Sequence, residues 1–219
     1  MKSIKDSSEN EMIALFLNEE IKSKRFSEKL NKIISELNID SSIIIDYDLS
    51  NDNDNKLRKE ILKIYRGYSL NEGLFKNFPD TIKWTWVDLD INDIKKIKYI
   101  DYDYWEELSN GSRYAWDSRQ NILNEKEIYE VSNQPFLDGA EYLKLGNVFE
   151  PIILLSSEDN KDKMIVLEGH SRLTAMCLVP EYIDKITALI GYTKDIKLEN
   201  WNSYSAKNNQ SENSKEQQK

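Results

Sequence analysis

The residues best suited to chemistry lie together in the segment 166–175, VLEGHSRLTA. A short apolar run, MIVL, leads into Glu168 and Gly169, and the pattern predicts a helix from about Ser171. Glycine tolerates a positive φ and lets a ligand approach the backbone closely. The first N–H groups of a helix have no partner inside it and sit at the positive end of its dipole, so such a turn suits a phosphate. Ser171 adds a hydroxyl. Arg172 adds a guanidinium able to hold two phosphate oxygens at once. His170 can donate to a phosphate or take a proton near neutral pH. Glu168 is placed to assist His170 or to cap the turn. The chain's one histidine falls in this turn. A strand, a glycine and a helix with a solvated polar tip is also ordinary architecture, so the structural reading stands beside the functional one.

Further candidates lie upstream. Segment 99–108, YIDYDYWEEL, places Asp101, Asp103, Glu106 and Glu107 among aromatic side chains. One of these carboxylates, Asp103 or Glu106 first, could act as a general base or hold magnesium opposite the turn. The competing reading is an amphipathic surface segment with packed aromatics. Arg113 and Arg119 offer extra phosphate contacts or surface ion pairs. Arg66, in RGY, either clamps a ligand or stacks on Tyr65 or Tyr68.

The elements that must position these residues can be read from periodicity. Residues 11–37 carry apolar side chains at three- and four-residue spacing and predict a helix, either continuous or split in two at a break near 22–27. Segment 41–48, SSIIIDYD, reads as a short strand or the start of a turn. A helix over 56–65 would be capped by Asp54 or Asn55. Residues 66–79 read as loop. Segment 83–89, KWTWVDL, alternates as a strand, with at least one of Trp84 and Trp86 in the core. Asp90 caps a helix over 91–97. SNG at 109–111 is a turn, and 112–123 is helical. Helix 135–145 closes with Gly146. Strands follow at 149–155, 164–167 and 184–192. Residues 1–10 are polar and frayed, and the tail 203–219 has the composition of a disordered segment. The expectation is an α+β fold: an N-terminal helical region over 1–80, then a small mixed sheet with flanking helices over 81–202.

Composition excludes several classes. The chain has 219 residues, five Trp, twelve Tyr and six Phe, enough to build a core. Its formal net charge of -9 and pI of about 4.9 argue against nucleic acid as a partner. One cysteine, Cys177, and one histidine rule out a disulfide or a His/Cys zinc site within one chain. Cys177 lies amid apolar residues and is expected in the core. No apolar run suits a signal peptide or a membrane span, so the expected setting is soluble, reducing and cytoplasmic.

Strand FEPIILL, a loop, strand MIVL and then EGHSRLTA together resemble the ParB/sulfiredoxin superfamily over roughly residues 82–195. The equivalent turn reads Gly-Glu-Arg-Arg-x-Arg-Ala in partitioning ParB proteins, Gly-Cys-His-Arg in sulfiredoxins and Gly-His-His-Arg in free-serine kinases of this fold. Gly169, Arg172 and Ala175 fit most of these patterns, and His170 fits the kinase version. The resemblance implies a nucleotide, ATP, ADP or CTP with magnesium, whose phosphates contact Gly169, His170, Ser171 and Arg172. His170 stands where sulfiredoxin has its nucleophilic cysteine, which removes sulfinic acid reduction. No helix-turn-helix follows Leu178, which removes a partitioning role. Ser171 replaces the second kinase histidine. The whole chain also resembles a group of bacterial proteins sharing YRGY…LF…FP, YIDYDYW…LSxGSR and VLEGHxRLTAY segments, and that likeness implies no activity.

Three functional expectations follow. The first is a nucleotide-phosphate-binding protein, as a phosphotransferase or a nucleotide hydrolase, with His170, Glu168, Asp103 and Glu106 as catalytic candidates. The second is a non-catalytic module whose N-terminal helices dock a protein partner. The third is a ParB-like nuclease or DNA-binding protein.

Overall fold

The computed structural model describes residues 1–195 together with Leu198 and Trp201. Strands β1 (Lys2–Asp6), β2 (Lys83–Leu89), β3 (Ile97–Lys98), β4 (Ile152–Ser157), β5 (Met164–Glu168) and β6 (Ile186–Thr193) form one sheet in the order β1-β2-β6-β4-β5-β3. Pairs β4–β6 and β3–β5 are parallel, and the other neighbours are antiparallel. This is a mixed sheet with flanking helices, as expected, but its edge strand β1 comes from the region 1–80 expected to be helical.

The central strands explain the layering. IILL in β4 and MIVL in β5 are continuous rather than alternating apolar runs, which suits strands covered on both faces. Successive side chains point to opposite faces. Ile152, Leu154, Met164 and Val166 accordingly enter one buried cluster, and Ile153, Leu155, Ile165 and Leu167 enter another.

The second cluster lies under helices α1 (Glu9–Lys22), α2 (Ser27–Glu36), α3 (Ser42–Ile45) and α4 (Asp52–Arg66). Met12, Ile13, Phe16 and Leu17 of α1 and Ile61 and Leu62 of α4 pack there with Trp84 and Trp86. The apolar stripe of α1 is therefore spent on the sheet, because burying it there removes it from water. The stripe that suggested a docking surface for a protein partner is an internal contact.

The first cluster lies under α5 (Ile91–Ile94), α6 (Asp103–Leu108), α7 (Arg119–Leu123), α8 (Gln134–Lys144) and α9 (His170–Leu178). Helices α8 and α9 approach closely at Gly139, where a Cβ would stand 2.9 Å from the Ala175 Cβ. Cys177 is fully buried in this layer, as expected.

Several local expectations need correction. Residues 2–6 form an edge strand paired with β2 instead of fraying, because backbone pairing offsets an exposed, polar composition. Segment 41–48 contains helix α3, since a short apolar run carries no decisive periodicity. Helix α4 begins earlier than expected and is capped by Asn51, which accepts from the Asn53 and Asp54 N–H groups. Asp90 does cap α5 in a capping box, but Ile97 leaves the helix for β3. Segment 112–123 divides into a 3-10 turn at Ala115–Ser118 and α7. The tail 203–219 lies outside the described residues.

Candidate anion-binding site

Strand β5 ends at Glu168, Gly169 turns the chain with φ 95°, and α9 starts at His170. A Cβ on Gly169 would lie 2.5 Å from Ile152 Cγ2, so space as well as torsion demands glycine here. The turn sits where the two layers meet over the end of the sheet, and side chains from both converge on it.

Arg172 lies in the first turn of α9 and points back over the strand end. Its Nη2 meets Glu168 and its Nη1 meets Glu19, from the last turn of α1. The Arg172 and Glu19 side chains are 15% and 9% exposed, so the pair is largely sealed from water. The adjacent Glu20 is held by Arg66 of α4 at 2.6 Å and by the Tyr65 hydroxyl. The Arg66 guanidinium also stacks on Tyr65 and Phe26, each at 4.5 Å. The result is a buried network of carboxylates and guanidinium groups drawn from α1, α4 and the turn.

This environment separates the two titratable groups of the turn. Burial, and after it the Arg66 charge, brings His170 down from 6.5 to about 3, because a cation there would be both desolvated and repelled. Burial, and after it the Glu20 carboxylate, pushes Glu168 up from 4.5 to about 8, while the Gly169 N–H and the Arg66 charge act against that rise. Burial lowers Arg172 to about 10, which leaves it charged at neutral pH. At neutral pH His170 is thus an uncharged ring, and burial raises the proton affinity of Glu168.

His170 is positioned by aromatic side chains. Its ring stacks on Trp105 of α6, with centroids 5.2 Å apart and planes inclined by 21°, and Trp105 in turn stacks on Tyr99 at 4.5 Å. The Tyr99 hydroxyl lies 2.6 Å from Thr174 Oγ1, which donates to the His170 carbonyl at 2.8 Å. Segment 99–108 therefore reaches the turn through its aromatics. Asp103 and Glu106 lie on α6, and among the described residues neither forms a hydrogen bond or ion pair with the turn. Asp101 pairs with Arg113 at 3.5 Å.

The other predicted phosphate contacts are distributed more widely. Ser171 is exposed on the first turn of α9. Arg119 stacks on Trp116 at 4.4 Å and, with Ser112 and Asp117, lines a separate pocket of about 490 Å³. Its charge acts on Cys177, about 10 Å along α9 from His170. Arg66 does stack on Tyr65, one of the two roles foreseen for it. No group of three or more His, Cys, Asp and Glu among the described residues is arranged to hold a metal ion.

Sequence reasoning missed Glu19, Glu20 and the Tyr99–Trp105 stack. A signal for Glu20 was present. It falls seven residues after Ile13 and four after Phe16, on the buried stripe of α1, and a carboxylate on such a stripe needs a partner.

No family model matches the chain, and no curated protein or solved structure is detectably similar to it. No helix among the described residues is long and apolar enough to cross a membrane.

Proposed function

We propose that the chain binds the phosphate group of a nucleotide, ATP, ADP or CTP accompanied by magnesium, at the turn formed by residues 168–172. One observation carries this reading. Eight buried side-chain polar atoms have no hydrogen-bond partner within the described protein. Four of them belong to the turn, to its ion-pair network or to the aromatic cluster behind His170: Arg66 Nε, Tyr104 Oη, whose ring packs edge-on against Trp105, His170 Nε2 and Arg172 Nε. Buried polar groups are nearly always satisfied, so such a concentration points to a polar ligand. Three of the four can donate irrespective of pH, and the neutral imidazole can do so through one nitrogen, which suits an anion. The left-handed glycine, the helix start and the likeness of Gly169–Arg172 to the ParB/sulfiredoxin turn support the same reading.

The carboxylates bear on the chemistry. Glu168, whose proton affinity burial raises, is the proposed base for any phosphoryl transfer or hydrolysis, and His170 serves as a neutral hydrogen-bonding and stacking group. Magnesium would arrive on the nucleotide, since the described residues supply no cage for it.

Calorimetric titration with a panel of nucleotides and magnesium, at protein concentrations near a millimolar, tests the proposal. Binding is expected and should be lost in Arg172→Ala. An absence of binding to every nucleotide rejects it, and an Arg172→Ala variant that binds as well as the parent moves the site elsewhere.

A further inference from the structure

We infer that Glu19 is a latch on this site: the last turn of α1 supplies an internal carboxylate that occupies one prong of Arg172 and must swing away before a phosphate can reach that prong. The inference rests on the phosphate-binding reading of the turn and adds how access to it is controlled.

Both terminal nitrogens of Arg172 are engaged by carboxylates, one by Glu168 and one by Glu19. Two parallel contacts from one guanidinium are also how arginine grips a phosphate. The two carboxylates are not equivalent. Glu168 belongs to the turn itself, four residues before Arg172. Glu19 comes from 153 residues away, on the layer covering the opposite face of the sheet.

Glu19 has somewhere else to go. Its second oxygen already accepts from Lys22 Nζ at 3.0 Å, and the Lys22 side chain is 50% exposed. A rotation of the Glu19 side chain would leave the carboxylate paired with Lys22 at the surface. The backbone does not have to follow, because Glu20 is fastened to Arg66 and Tyr65. The exchange keeps Arg172 paired in both states, so no buried cation is stranded during it. An arriving phosphate also repels the Glu19 carboxylate, which favours the open position once the ligand is present.

Two variants on the same helix should move affinity in opposite directions. Glu19→Gln removes the competing charge and should tighten Mg·ATP and inorganic phosphate about 10-fold, equivalent to about 1.4 kcal/mol. Lys22→Ala removes the alternative partner, commits Glu19 to Arg172 and should weaken both ligands about 3-fold. Titrations of the full chain, each paired with a thermal melt, would read these effects. Glu19→Asp, whose shorter side chain withdraws from Arg172, decides the matter if Glu19→Gln does not fold, and it too should tighten binding. Parent binding that is unchanged or weakened by the Glu19 variants overturns the latch and leaves the site standing. Failure of the parent and every Glu19 variant to bind either ligand overturns both.

Discussion

The layers on the two faces of the sheet are built by different means. Over the N-terminal face, α1, α2 and α4 run for ten to fifteen residues each and bury contiguous apolar stripes. Over the other face, residues 99–133 are short turns of helix broken by left-handed residues, among them Asn110, Gly111, Arg113, Glu125, Tyr129 and Glu130. That segment is pinned by side chains reaching to backbone. Asn121 donates to the Leu108 carbonyl at 2.8 Å, Asn133 to Lys126 at 2.9 Å, and Ser118 to Ala115 at 2.7 Å. Both faces remove a continuous apolar cluster from water. Residues 99–133 depend in addition on directed hydrogen bonds, such as that from Asn121 to the carbonyl of the buried Leu108. The candidate site joins the two, taking Glu19, Glu20 and Arg66 from the first face and Trp105 and His170 from the second.

The contrast can be broken by mutation. Phe16→Ala, in the centre of the apolar layer, should destabilise the protein by about 3–5 kcal/mol, read as a shift in denaturant midpoint. Gly169→Ala should cost about 2–4 kcal/mol, from the left-handed torsion and the contact with Ile152, and should also abolish nucleotide binding in the same titration that tests the parent. Asn121→Ala should cost about 1–3 kcal/mol, because it leaves the Leu108 carbonyl without its donor. If Asn121→Ala proved costlier than Phe16→Ala, the proposed division between the layers would be reversed.

The effects of pH are the most gradual, small over any one pH unit, and they sharpen the account of the junction. His170 stays neutral in the folded chain but takes a proton in the unfolded chain below 6.5, so its contribution is complete above 6.5 and is lost as the pH falls towards 3. Glu168 runs the other way. Its folded-state value is raised, so its contribution is complete below 4.5 and is lost as the pH rises through about 8. Between 6.5 and 3, the unfolding free energy of the parent should fall with decreasing pH more steeply than that of His170→Gln, by up to about 1.4 kcal/mol per pH unit. Equal slopes in denaturation series from pH 7 to pH 4 would show that the imidazole is not held neutral.

What could be read in the sequence was local. Residues 83–89 alternate and form β2 over that span. The helix before Gly146 ends as its composition requires, with that glycine at φ 82°. The turn at Gly169 was legible because a strand, a glycine and a helix start are neighbours in the chain, and their physics operates over a few residues. The short apolar run at 42–45 was not legible, since four residues contain too little periodicity to separate strand from helix.

The partners of the turn belong to a different order of information. Nothing near Arg172 in the chain indicates that Glu19 will reach it, and nothing near His170 indicates Trp105. These pairings exist because α1 and α6 are laid on opposite faces of one sheet and their ends meet over the same strand end. The sequence alone therefore determined the strand–glycine–helix turn at which an anion is proposed to bind. Tertiary packing decided which carboxylates pair with Arg172 and which groups of the turn are desolvated, because desolvation and ion pairing depend on neighbours that only folding assembles.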